Sequence, residues 1–123
     1  RGITSGIATD IGAGTSYSML NTLNEGYKIL QLQNQQLHTL RAFYWITRGN
    51  AEVLGMADRI GTLDVGSEAD IVVIDPRATP AMALRMDRAG SLAEELFAVQ
   101  MMGDDRAIAQ TYVAGMPQKR KAP

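Results

Sequence analysis

The chain has 123 residues, 46 % hydrophobic and 20 % charged, with a formal net charge of −1, which is one globular domain's worth and argues against disorder. So even a charge gives no footprint for nucleic acid or an acidic membrane surface, and the lack of cysteine excludes disulfides and thiolate metal sites, as expected of a cytoplasmic protein. No apolar run approaches the ~20 residues that cross a bilayer, no basic and apolar leader is present, and the opening at Arg1 without a methionine reads as a segment cut from something longer.

Ile3 to Asp10 reads as a short strand of the kind buried on both faces. The loop Gly12-Ala13-Gly14-Thr15-Ser16 follows, and Ser16 is placed to cap a helix whose Leu20, Leu23, Tyr27 and Leu30 recur at three and four residues. That helix is expected to end between Gln33 and Gln36. Thr39 can cap the next, with Leu40, Phe43 and Ile46 on one face, and Gly49-Asn50 is expected to break it before a third, short helix through Val53 and Leu54 to Gly55.

From Ile60 the period turns extended. Ile60, Leu63 and Val65 lead through Gly66 into Ala69-Asp70-Ile71-Val72-Val73-Ile74-Asp75-Pro76, a β-branched run stopped by proline, and together these predict a hairpin in a small sheet. A connecting segment with Pro80 and Gly90 precedes Ser91-Leu92-Ala93-Glu94, which has capping-box spacing and opens a helix through Leu96, Phe97, Val99, Met101 and Met102. Gly103-Asp104-Asp105 ends it. A strand from Ala107 to Val113 closes in a turn at Gly115 and Pro117, and Lys119, Arg120 and Lys121 form a solvated tail. The class is α/β. A lone buried strand cannot satisfy its own backbone and three short strands make a marginal sheet, so both halves want partners.

Asp10 is the first candidate for chemistry. An acid at the end of an apolar run and before a glycine loop suits a divalent metal ligand whose second oxygen acts as a base toward water. The alternative is a residue that caps the following helix or pairs with a nearby cation. The loop behind it lacks the lysine of a P-loop and the third glycine of a dinucleotide fingerprint, so it reads as backbone that lets a small substrate approach. His38, the sole histidine, has no second ligand at metal spacing and reads as a surface or capping residue. Phe43, Tyr44 and Trp45 read as core aromatics and the methionines as core filling.

On Ala8-Thr9-Asp10-Ile11-Gly12-Ala13-Gly14-Thr15-Ser16-Tyr17-Ser18-Met19-Leu20 and Gly103-Asp104-Asp105-Arg106 the chain resembles the guanine deaminases, a family of the metal-dependent amidohydrolase superfamily. Asn24-Glu25-Gly26-Tyr27-Lys28, Ala42-Phe43-Tyr44, Asp58-Arg59-Ile60-Gly61, Gly66 to Val73 and Thr111-Tyr112-Val113-Ala114-Gly115 extend the similarity over nearly the whole chain. It departs at Ala8 and Ala13, where the family tends to have glycine, and at Arg48-Gly49-Asn50, which replaces a more glycine-rich turn.

The resemblance implies the C-terminal piece of a TIM-barrel amidohydrolase. Residues 1–57 would be the last strand and helices of the (β/α)8 barrel, and 58–123 the C-terminal strands and helix of a small composite β-sandwich domain. It further implies that Asp10 is both catalytic and metal-binding, holding zinc and shuttling a proton while guanine is hydrolysed to xanthine. The family's histidine ligands and guanine-recognising residues lie upstream, so the chain alone is expected to bind no zinc and to be inactive. A homo-oligomer is expected, without nucleic-acid or membrane partners. Two other readings stay open: a stand-alone, self-associating α/β interaction module, and an amidohydrolase for a different purine, pyrimidine or triazine amine.

Overall fold

The computed structural model describes residues 5–119. Its order is α1 (Met19–Leu32), α2 (Thr39–Ile46), α3 (Arg48–Val53), β1 (Ile71–Ile74), α4 (Pro80–Met86), α5 (Leu92–Met102), β2 (Ile108–Val113) and β3 (Met116–Pro117), with a single 3-10 turn over Asp105–Ala107 before β2. Among the described residues, five helices accompany one antiparallel sheet in the order β1-β2-β3, an α/β arrangement as the sequence predicts.

Caps decide where the helices begin. Ser18, not Ser16, caps α1 by accepting from the Asn21 N–H at 3.4 Å. Ser16 lies two residues too early, and its hydroxyl accepts from the Ser18 N–H at 3.0 Å and the Asn21 side-chain amide at 3.2 Å, a local turn that competes with helix. The predicted stripe is present: Leu20 and Leu23 are buried, and Tyr27 and Leu30 half-buried. His38 caps α2, its Nδ1 accepting from the Leu40 N–H at 3.3 Å, which leaves Thr39 inside the helix. Leu40 faces solvent, and Thr39, Ala42 and the preceding Leu37 take the buried positions.

The break after α2 falls at Thr47, whose hydroxyl donates back to the Phe43 carbonyl at 2.7 Å. Gly49 and Asn50, expected to make that break, are inside α3. Gly49 is needed there for closeness, since a Cβ would meet the Tyr44 carbonyl oxygen at 3.0 Å. Ser91 and Glu94 cap α5 as the spacing predicts, with Ser91 accepting from the Glu94 N–H at 3.3 Å and the Glu94 carboxylate accepting from the Gly90 N–H at 2.8 Å.

Two expectations fail for lack of a partner. Residues 5–10 form no strand, and Ile3 lies outside the described residues; no neighbouring strand is offered to them among those residues. Ile60, Leu63 and Val65 form no hairpin arm either. Leu63 and Val65 are 83 % and 108 % exposed, and β1 pairs instead with β2, Ile71 opposite Tyr112 and Val73 opposite Gln110, with a bulge before Ile74 reaches Ile108. The supposed connector contains α4, capped by Thr79 accepting from the Met82 N–H at 3.2 Å, with Pro80 in its first turn, where a missing N–H costs nothing.

α5 packs against α1, α2 and α4. A helix so surrounded is apolar on most sides, as α5 is. One core cluster joins Leu20, Met82, Val99 and Ala107, the other Leu23, Leu37 and Ala42, and Phe43 touches both. Fully burying side chains such as Leu23 and Met82 contributes roughly 1.5–3 kcal/mol each. Tyr27 meets Phe97 edge-on with ring centres 5.3 Å apart, while Tyr44, expected in the core, is exposed together with Ile29, Leu32, Leu40 and Val53 of the first three helices and Leu54 just after them. The basic tail beyond Lys119 is outside the described residues.

Candidate functional site

Asp10 ends an extended segment at the surface. Its backbone turns into the left-handed region, φ 53°, which a short polar side chain tolerates better than most. Its carbonyl oxygen accepts from the N–H groups of Ala13 at 3.0 Å and Gly14 at 2.6 Å, so the loop folds back directly behind the carboxylate. Gly14 is required by that closure, because a Cβ there would overlap the Thr9 carbonyl oxygen. The Ala13 and Gly14 amides are thereby turned toward Asp10, and α1 begins only at Met19.

Both sides of the loop are anchored. Downstream, the Thr15 hydroxyl donates to Glu25 on α1 at 2.9 Å, and Ser16 receives Ser18 and Asn21 as described. Upstream, the Ile7 N–H donates to Asn50 Oδ1 at 2.9 Å and Asn50 Nδ2 donates to the Ile7 carbonyl at 2.8 Å. Asn50 was expected only to break a helix. Nothing local could have shown its contact with Ile7, which spans 43 residues of sequence.

Asp10 is exposed rather than sheltered by the run behind it, and among the described residues no ion pair or hydrogen bond engages its carboxylate. No group of three or more His, Cys, Asp or Glu suited to a metal ion occurs among those residues. One unengaged carboxylate fits a single place in a coordination shell. His38 does not join it, being spent on the α2 cap.

Next to Asp10, a small pocket of about 180 Å³ is lined by Ile11, Gly12 and residues 14–17. It shares Ser16 and Tyr17 with an apolar groove of about 1230 Å³, which runs between the start of α1, the α2–α3 corner and β1, with Ile46, Leu54, Leu63 and Ile71 on its walls. Two charged clusters border these elements. Hydrogen bonds from the Tyr44 hydroxyl, at 2.6 Å, and then from Arg48 hold the Glu52 carboxyl below the usual carboxylate range, and the same Glu52 bond raises the Tyr44 phenol. At the corner after α5, the Arg106 guanidinium and backbone N–H hold the Asp104 carboxyl low.

The Amidohydrolase family model matches residues 1–117. Guanine deaminase from Escherichia coli is 53 % identical over 110 residues, which is 89 % of this chain and 25 % of that protein. The solved structure of E. coli guanine deaminase superposes with a TM-score of 0.93 at 49 % identity, covering 97 % of this chain and 28 % of that one. Guanine deaminase from Bradyrhizobium japonicum superposes with a TM-score of 0.84 at 30 % identity, covering 98 % and 32 %. The chain therefore spans about a quarter of the length of the curated relatives it matches. With its family model matched over nearly every residue and its fold shared with these enzymes, the chain belongs to the amidohydrolase family.

Proposed function

We propose that this chain is the C-terminal part of a zinc-dependent guanine deaminase, which converts guanine and water to xanthine and ammonia. The observation that carries the reading is the combined identity and superposition with the E. coli guanine deaminase. Residues 1–57 are read as the end of a barrel and residues 58–123 as the C-terminal contribution to a small β domain. Segment 5–10 suits this: Ser5, Gly6, Ala8 and Asp10 are exposed, and a barrel's neighbouring strands would cover them.

Asp10 is the residue proposed to act. Its unengaged carboxylate supplies one ligand, and a zinc site needs roughly four, so the others are assigned to polypeptide outside this chain. Zinc, when bound, supplies the positive charge that acidifies the attacking water. The Asp10 carboxylate takes a proton from that water as its oxygen bonds to the amine-bearing carbon, and returns a proton to the nitrogen as the carbon–nitrogen bond breaks and ammonia leaves. The tight turn behind Asp10 fixes where that exchange occurs. The chain by itself is proposed to be inactive, and the intact enzyme to be a cytoplasmic homo-oligomer; the apolar groove supports the view that this face is covered in the assembled protein.

The test is guanine hydrolysis and zinc content, measured for the 123-residue chain and for a full-length polypeptide containing it. The full-length protein is expected to hold zinc and form xanthine, and the short chain to do neither. Turnover in the short chain would overturn the assignment of missing ligands, and a higher kcat/KM for another purine, pyrimidine or triazine amine would overturn the substrate.

A further inference from the structure

We infer that Glu25 is a positioning residue for Asp10, an inference that rests on the role proposed for Asp10 above. Asp10 sits at φ 53°, a left-handed conformation that a residue other than glycine keeps only where its surroundings impose it. What imposes it here is the turn that follows, in which the N–H groups of Ala13 and Gly14 donate to the Asp10 carbonyl at 3.0 and 2.6 Å. Released from that turn, residue 10 would relax toward extended backbone and its carboxylate would point elsewhere.

Residues 14–16 tie this turn to α1. Gly14 bonds to Asp10, the Thr15 hydroxyl donates to Glu25 Oε1 at 2.9 Å, and the Ser16 hydroxyl accepts from Asn21 Nδ2 at 3.2 Å. Asn21 and Glu25 are four residues apart within α1, so they stand one turn apart on the same face. Three successive loop residues are thus fastened, the first to Asp10 and the next two to a helix anchored by its buried Leu20 and Leu23. Of the two helix side chains, Glu25 is the one without a substitute. Ser16 keeps its bond from the Ser18 N–H at 3.0 Å in the absence of Asn21, whereas the Thr15 hydroxyl has no second partner among the described residues.

None of these groups is a strand edge. The hydroxyls, the carboxylate and the carboxamide are side chains of the loop and helix that follow residues 5–10, and the Asp10 carbonyl is turned into the loop. Strands added on either side of segment 5–10 therefore compete for none of these bonds. The barrel reading places this loop at the end of a strand, where such folds build their active sites, and Glu25 then holds from behind the loop that carries the proposed ligand.

The experiment uses the full-length enzyme, with Glu25→Ala, Glu25→Gln, Thr15→Val, the Thr15→Val/Glu25→Ala pair and Asp10→Ala. Readouts are zinc affinity, kcat and KM for guanine, and the midpoint of urea unfolding. Glu25→Ala and Thr15→Val remove the same exposed hydrogen bond from its two ends, and each should lower zinc affinity and kcat by about 2- to 10-fold, with KM and the unfolding midpoint changed far less. Thr15→Val keeps the side-chain volume and carries the test should Glu25→Ala fold poorly. The pair should be no worse than the weaker of the two single variants. Glu25→Gln retains a carbonyl acceptor for the Thr15 hydroxyl and should restore zinc affinity and kcat to the parent level. If Glu25→Ala and Thr15→Val keep the parent zinc affinity and kcat while Asp10→Ala abolishes both, or if Glu25→Gln loses as much as Glu25→Ala, the inference fails and the role of Asp10 stands. If Asp10→Ala itself leaves zinc and turnover intact, the underlying reading fails instead.

Discussion

Replacing Gln100 by methionine is expected to stabilise the protein. Gln100 is 1 % exposed in the last turn of α5, where it faces α1. Its Nε2 donates to the Leu23 carbonyl at 3.3 Å, and no donor reaches its Oε1 among the described residues. That bond is long, so its loss should cost about 0.5 kcal/mol, whereas removing a buried carbonyl without a donor should return about 1–3 kcal/mol. Leu23 lies inside α1, so its carbonyl keeps its helical partner and is not orphaned by the change. Methionine has nearly the same length and fills irregular space, which limits any packing loss. The net expectation is a gain of about 0.5–2 kcal/mol, read by urea unfolding with an unchanged m-value. Gln100→Glu is the counterpart. It exchanges the only donor for a second buried acceptor and should cost about 3 kcal/mol or more. A loss of about 2 kcal/mol or more in Gln100→Met would show that Oε1 has a donor, such as a buried water, and would refute the reasoning.

Glu52 should give the protein a pH-sensitive increment. The Tyr44 hydroxyl, and then Arg48, hold its carboxyl below the ordinary value in the folded state, so the unfolded chain binds that proton more readily. The contribution is whole above the ordinary carboxylate range and is lost as pH falls through the depressed folded value; a ¹³C titration of the Glu52 carboxyl and the acid limb of unfolding in Glu52→Gln check it. Ser91→Ala removes the α5 cap and should cost about 1 kcal/mol in the same unfolding assay. Thr79→Ala at the start of α4 should cost a comparable ~1 kcal/mol, and if either change proved neutral the cap would not be contributing.

What was legible in the sequence was what repeats or caps locally. Leu20, Leu23 and Tyr27 announced α1, and Ser91 with Glu94 announced α5, because each signal lies within one or two helical turns. The connecting segment with Pro80 holds α4, whose local signal is Thr79 as the cap with proline in the first turn. The strands were harder. Ile60, Leu63 and Val65 have an extended pattern, yet β1 pairs with β2 across more than thirty positions of chain, and nothing in a β-branched run names its partner. The same holds at the site: Asp10 stood out from its neighbours alone, whereas Asn50 acts on Ile7 only through the fold.

The role proposed for Asp10 is to supply the carboxylate through which this chain would take part in guanine hydrolysis. The most direct measurement compares zinc content and xanthine formation for a full-length enzyme with Asp10 intact and with Asp10→Ala. Loss of turnover with weakened zinc binding, in a variant that keeps its oligomeric state and melting temperature, is the expected result. Undiminished turnover without that carboxylate would contradict the account.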